Sequence, residues 1–191
     1  RVVAYAAGMD FGIRAETVVL LGSIDDRRGL IIEQEHAAAG LTMSDHVAAI
    51  RGWIDAGHTE ASAEVLGARR GISWIGIDPA GCARNEQTGI SNRRVLREAG
   101  FMTRERRTTV ELGIGRLRAL LAPADGSPPR LRIRSRCTRL IEALQRYHYP
   151  ENRPEVTEPV KDGHDHACDA LRYLVVNLDH GSDFAAASYL A

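Results

Sequence analysis

Lysine is almost missing from this chain: Lys161 is the single one among 25 basic residues, so the positive charge is carried by arginine. A phosphate-binding loop of the G-x-x-x-x-G-K-[ST] type needs Ser or Thr after its lysine, and here Asp162 follows, which excludes nucleotide hydrolysis by such a loop. Cysteine is scarce and odd in number. Cys82, Cys137 and Cys168 show no C-x-x-C spacing, which argues against a disulfide framework or a structural zinc site and fits a reducing compartment. No apolar run reaches the roughly eighteen residues of a membrane span. No basic segment, apolar stretch and small-residue cleavage site open the chain either, so a soluble intracellular domain without membrane contact is expected. Net charge is absent as well, with 25 acidic residues against 25 basic ones, so any contact with nucleic acid has to come from local clusters.

What is present is enough for one core: 191 residues with 44% apolar content point to a single domain over 1–191. The chain starts at Arg1 and enters a strand almost at once, so it is expected to be cut from a longer polypeptide. Apolar runs over 2–10, 17–24 and 30–34, with Asp25 to Gly29 between the last two, predict an antiparallel meander of three strands. Val47, Ile50 and Ile54 then repeat at helical spacing after a possible cap at Ser44, and a further helix is expected over 61–70. A short apolar run over 72–77 stops at Asp78-Pro79 and reads as a buried strand with an acid at its tip. Helices are expected over 91–99, 110–121, 138–147 and about 164–178, with a short strand at 131–133. In the second of these helices Leu112, Ile114, Leu117, Leu120 and Leu121 are apolar. The expected class is α/β, with a mixed sheet of three antiparallel strands followed by parallel ones, flanked by helices.

Three positions carry the chemistry. Asp10 ends an apolar strand, where a carboxylate is desolvated unless a cation or donors face it; the alternative is a turn cap at Gly12. Asp78 repeats the pattern, again with a small residue two positions earlier, and taken alone it could equally initiate a turn. Acids at strand carboxyl ends can converge. In the segment from Gly163 to Tyr173, His166 and Asp169 are spaced i, i+3 and project from one helical face, while Ala167, Leu171, Leu174 and Leu178 form a core stripe. Asp165 fits a helix cap and a ligand equally well. His164, His166 and Cys168 lack the second cluster that a zinc site would need. Separated carboxylates with one imidazole suit two hard divalent cations, Mg2+ or Mn2+, that serve phosphodiester hydrolysis. Asp10, Asp78 and Asp169 are the expected catalytic acids, with His166 and Asp165 as further ligands.

From Gly8-Met9-Asp10-Phe11-Gly12 through Trp74-Ile75-Gly76-Ile77-Asp78 to Asp165-His166-Ala167-Cys168-Asp169-Ala170-Leu171-Arg172-Tyr173, the chain resembles the nuclease domain of tailed-bacteriophage large terminase subunits. The final segment also resembles RuvC-type Holliday-junction resolvases. The resemblance implies a ribonuclease H-like fold and an endonuclease that cuts concatemeric double-stranded viral DNA in the host cytoplasm. It further implies an N-terminal packaging ATPase in the full protein, with portal and small terminase subunit as partners. One departure stands out: many terminases read Asp-Pro-Thr where this chain has Ala15-Glu16-Thr17, so an accessory acid is missing or displaced to Glu16.

Arginine clusters are the expected DNA contacts: Arg104, Arg106 and Arg107 in one group, and Arg130, Arg132 and Arg134, with Arg136 and Arg139 beside them, in another. A solvated face in an arginine-biased chain is the bland reading. Two competing functions remain at this point, a four-way-junction resolvase and a non-catalytic DNA- or portal-binding module. The Asp10-Phe11-Gly12 triplet also resembles kinase and actin-like phosphate sites, but the glycine-rich and catalytic loops that those require are missing.

Overall fold

A computed structural model describes residues 1–12, 15–27, 29–59, 71–83, 89–153, 155–156 and 158–178; the helix expected over 61–70 lies outside them. The meander forms as the pattern predicts, with strands β1 (Val2–Asp10), β2 (Thr17–Asp25) and β3 (Leu30–Ala38) paired antiparallel. Asp25 builds the second turn by accepting the backbone N–H groups of Arg27 and Gly29 at 2.9 and 2.6 Å. β4 (Ile72–Ile77) joins β1 in parallel, β5 (Thr103–Arg104) joins β4, and β6 (Leu131–Ile133) joins β3, giving the order β5-β4-β1-β2-β3-β6. This is the expected mixed sheet, with β5 added. β3 runs four residues beyond its predicted end because its polar C-terminal half still pairs with β2.

Strand residues alternate between two helical layers. On one face Met9, Val19, Ile75 and Ile77 pack with Val47 and Ile50 of α1 (Met43–Asp55) and Leu96 of α2 (Asn92–Glu98). On the other, Ala6, Leu20 and Trp74 pack with Leu117 of α3 (Val110–Leu121), Leu140 of α4 (Thr138–Arg146) and Leu171 and Leu174 of α5 (Asp165–Asn177). The start of α1 differs from expectation: Thr42, not Ser44, is the cap, because Thr42 and Asp45 complete a reciprocal capping box. In α3, Leu112 and Leu121 stay exposed, since the helix turns Gly113, Ile114 and Leu117 inward. α4 lacks a side-chain cap of its own. Glu35 of β3 supplies it by accepting the N–H groups of Arg139 and Leu140, each at 2.9 Å.

α5 is more deeply buried than a one-sided stripe predicts, because it lies over β1, β2 and β4 with α3 and α4 packed against it. Its seat is a pair of glycines. Gly8 and Gly76 are register partners in the parallel strands β1 and β4. A Cβ on Gly8 would stand 2.1 Å from the Ala170 carbonyl oxygen, and one on Gly76 would stand 2.4 Å from that of Tyr173. The helix backbone therefore rests directly on the sheet. Among the described residues no helix is long and apolar enough to cross a membrane, and Cys82, Cys137 and Cys168 are free thiols.

Candidate active site

Asp10 is the last residue of β1 and faces α5, with 7% of its surface exposed. Among the described residues of the turn that follows, Thr17 and not Asp10 holds Gly12: the Thr17 hydroxyl accepts the Gly12 N–H at 3.2 Å and donates to the Gly12 carbonyl at 3.3 Å. Asp78 stands one residue past β4, beside Asp10. It does serve a turn, because Oδ1 accepts the Ala80 N–H at 2.9 Å and opens a 3-10 turn over Pro79–Cys82. Asp165, at the start of α5, accepts the Gly163 N–H at 2.9 Å. Neither turn role removes the acid from the site: Asp10, Asp78, Asp165, His166 and Asp169 all line one cavity of about 300 Å3, together with Tyr147, Lys161, Arg172 and Tyr173.

Two contacts organise the acids. His166 Nδ1 donates to Asp10 Oδ2 at 2.8 Å, and this bond holds the imidazole's pKa above its ordinary value. Arg172 donates from Nε and Nη2 to Asp169 Oδ1 at 3.1 and 2.9 Å. Burial nevertheless pushes the Asp169 carboxyl above the ordinary range, and the nearby charges of Asp10 and Asp165 add to that, while Arg172 opposes it. Among the described residues no three His, Cys, Asp or Glu side chains are gathered about a point where an ion would sit. The donor set itself fits hard divalent cations, since among the described residues five carboxylates, Glu158 included, and one imidazole line a cavity whose lining cations are Lys161 and Arg172.

The arginine groups lie elsewhere. Arg104 and Arg106 donate to the Asn177 and Val176 carbonyls, at 3.2 and 3.3 Å, and Arg116 joins them on Val176 at 3.3 Å. They meet the C-terminus of α5, whereas the acids stand at its N-terminus. Arg104 also lies over the Trp74 ring, 4.6 Å from its centroid. Arg107 is exposed. Arg130, Arg132 and Arg134 flank or belong to β6, which pairs with the start of β3 at the opposite end of the sheet from Asp10. Arg134 bonds Glu33 at 2.9 Å, while Arg130 and Arg132 are exposed. Arg139 faces the active-site end, reaching Glu16 at 2.9 Å and the Gly163 carbonyl at 3.0 Å. Glu16 thus pairs with Arg139 and does not line the cavity.

Sequence reasoning missed Arg172, Lys161, Glu158, Tyr147 and Tyr173. Arg172 and Tyr173 were within reach, since one more helical turn from Asp169 lands on both. Lys161 and Tyr147 arrive from loops, and no local spacing marks them.

No protein-family model matches the chain, and no curated protein matches it. Solved structures do. Over 93% of its length the chain superposes on the large terminase of a thermophilic bacteriophage, with a TM-score of 0.71 and 17% identity. The chain has the fold of a large-terminase nuclease domain. It spans 40% of that terminase chain. The nuclease domain of the phage P22 large terminase gives a TM-score of 0.63 at 20% identity, over 89% of this chain and 78% of that one. The large-terminase nuclease domain of bacteriophage SPP1, solved with bound Mn, gives 0.59 at 14% identity, over 93% and 88%. The terminase-nuclease fold thus accounts for the mixed sheet, with the paired strand tips of β1 and β4 under α5.

Proposed function

We propose that the chain is a divalent-metal-dependent endodeoxyribonuclease, the nuclease part of a large terminase, that cuts concatemeric double-stranded viral DNA during packaging. The observation that carries this reading is the convergence of Asp10, Asp78 and Asp169, from three separate segments, on one cavity in the terminase-nuclease fold. In this reading an ATPase precedes residue 1, portal and small terminase subunit are the partners, and the host cytoplasm is the place of action.

Asp10, Asp78 and Asp169 would hold the cations, with His166 and Asp165 beside them. Two Mg2+ or Mn2+ ions would lower the pKa of an attacking water and neutralise charge on the phosphodiester in the transition state. The chain's own groups do the rest. Asp10 and Asp78 are held at strand ends, and Asp169 and His166 on a buried helix, so all four face the cavity in which a phosphate would lie. Lys161, the chain's single lysine, lies at the cavity, where a DNA phosphate would meet its ammonium. Arg107, Arg130 and Arg132 are open to contact DNA farther along its path, with Arg104, Arg106 and Arg134 in their neighbourhoods.

The test is nicking of supercoiled plasmid. The purified protein should nick in manganese, less well in magnesium because an imidazole favours softer ions, and not in chelator. No nicking with either metal, or undiminished cutting by Asp10→Asn, would overturn the reading.

A further inference from the structure

Gly113 is where α3 meets the Arg172 side chain. A Cβ there would lie 2.5 Å from Cδ and 2.6 Å from Cγ of Arg172, so the missing side chain is the notch through which the arginine stem runs. The guanidinium emerges at the acid-lined cavity with its side chain only 7% exposed. Its Cζ lies 4.5 Å from the centroid of the Tyr173 ring, which covers it on one side. Both of its bonds to Asp169 fall on the same oxygen, Oδ1. An arginine that paired with a carboxylate end to end would use both oxygens.

We propose that Arg172 is a positioning residue: it grips Oδ1 of Asp169, leaves Oδ2 to the cavity, and so fixes the orientation in which Asp169 takes a divalent cation. The proposal rests on the metal-nuclease reading of the site. It follows from the shape of the contact as well as from its charge. A lysine would offset the buried negative charge equally well, but its single ammonium cannot set a plane of two donors against one oxygen. The Gly113 notch holds the stem in the one path that delivers this geometry.

The experiment compares wild type, Arg172→Lys and Gly113→Ala by calorimetric titration with Mn2+ in the absence of DNA, and by plasmid nicking across Mn2+ concentrations. Arg172→Lys is expected to weaken Mn2+ binding about 10- to 100-fold, the loss seen when a ligand's outer partner is removed. The Mn2+ midpoint of nicking should move by the same factor, with KM for DNA unchanged and most of kcat restored at saturating Mn2+. Gly113→Ala, which keeps the guanidinium group but crowds the stem that places it, should move both quantities in the same direction by less. Melting in chelator reports the fold; if Arg172→Lys does not fold, Gly113→Ala decides, because alanine favours the helix and the crowding falls on the Arg172 side chain and not on backbone. Wild-type Mn2+ affinity in the folded variants overturns the proposal. A wild-type protein that binds Mn2+ and does not nick overturns the nuclease reading, while the titrations still decide the role of Arg172. Wild-type protein that binds no Mn2+ overturns both.

Discussion

Gly8 and Gly76 lie side by side in β1 and β4, each two residues before a site acid, and the backbone of α5 is seated on both. The separation between the strand tips and the first turn of α5 is set there. Gly8→Ala or Gly76→Ala should therefore lift the helix. Overpacking of this kind costs about 1–3 kcal/mol, and here the obstacles are carbonyl oxygens, which cannot move aside as side chains do. Urea melts should show that loss, and nicking should fall further than the unfolded fraction explains. Unchanged melting and activity would mean that α5 does not rest on these positions.

Asp10→Asn removes both a proposed ligand and the anion that His166 faces. Nicking should fall by more than about a hundredfold, beyond what loss of an outer partner costs. The His166 pKa, raised in wild type chiefly by its bond to Asp10, should drop in the variant, as a proton NMR titration would report. An unchanged His166 titration would show that the 2.8 Å contact is not formed in solution.

His36 of β3 and His46 of α1 meet ring to ring, Nε2 to Nδ1 at 3.0 Å, with burial as the main cause that holds both below the ordinary 6.5. The unfolded chain takes up protons near 6.5 and the folded one only at lower pH. Their contribution to stability is thus complete above that value and is lost as pH falls below it. His166 shifts the other way, so the test is a difference: the gap in melting temperature between wild type and His36→Gln/His46→Gln should narrow from pH 7.5 to pH 5.5. A gap independent of pH would refute the assignment.

Glu35 caps α4 from another element. Glu35→Ala should cost about 1–2 kcal/mol, as loss of an N-terminal cap does, and Glu35→Gln less, since an amide oxygen still accepts. Chemical denaturation of the two variants checks the order.

The acids were legible in the sequence because a strand tip and a helix phase are local patterns. Asp10 and Asp78 closed apolar runs, and His166 and Asp169 stood one helical turn apart. What escaped was non-local. The partner of Arg134 lies 101 residues away and that of Arg104 lies 73 away, so no window along the chain can tell a DNA-facing arginine from one turned inward. β5, at two residues, is too short for periodicity to show. Leu112 and Leu121 looked like core because hydrophobicity alone cannot reveal that α3 approaches its neighbour through Gly113. The choice of Thr42 over Ser44 depended on which hydroxyl stood three residues before an acid.

β3 also behaves as a ruler that is read on both edges. Glu35 points to one side of the sheet, where it caps the start of α4, while His36 points to the other and meets α1. Because neighbouring strand residues face opposite ways, losing or gaining one residue in the middle of β3 would exchange these partners between layers. Point changes along this strand each touch one contact, whereas a change of length disconnects two helices at once. Relatives of this chain should therefore vary in the identity of these residues far more readily than in the number of residues between Leu30 and Ala38.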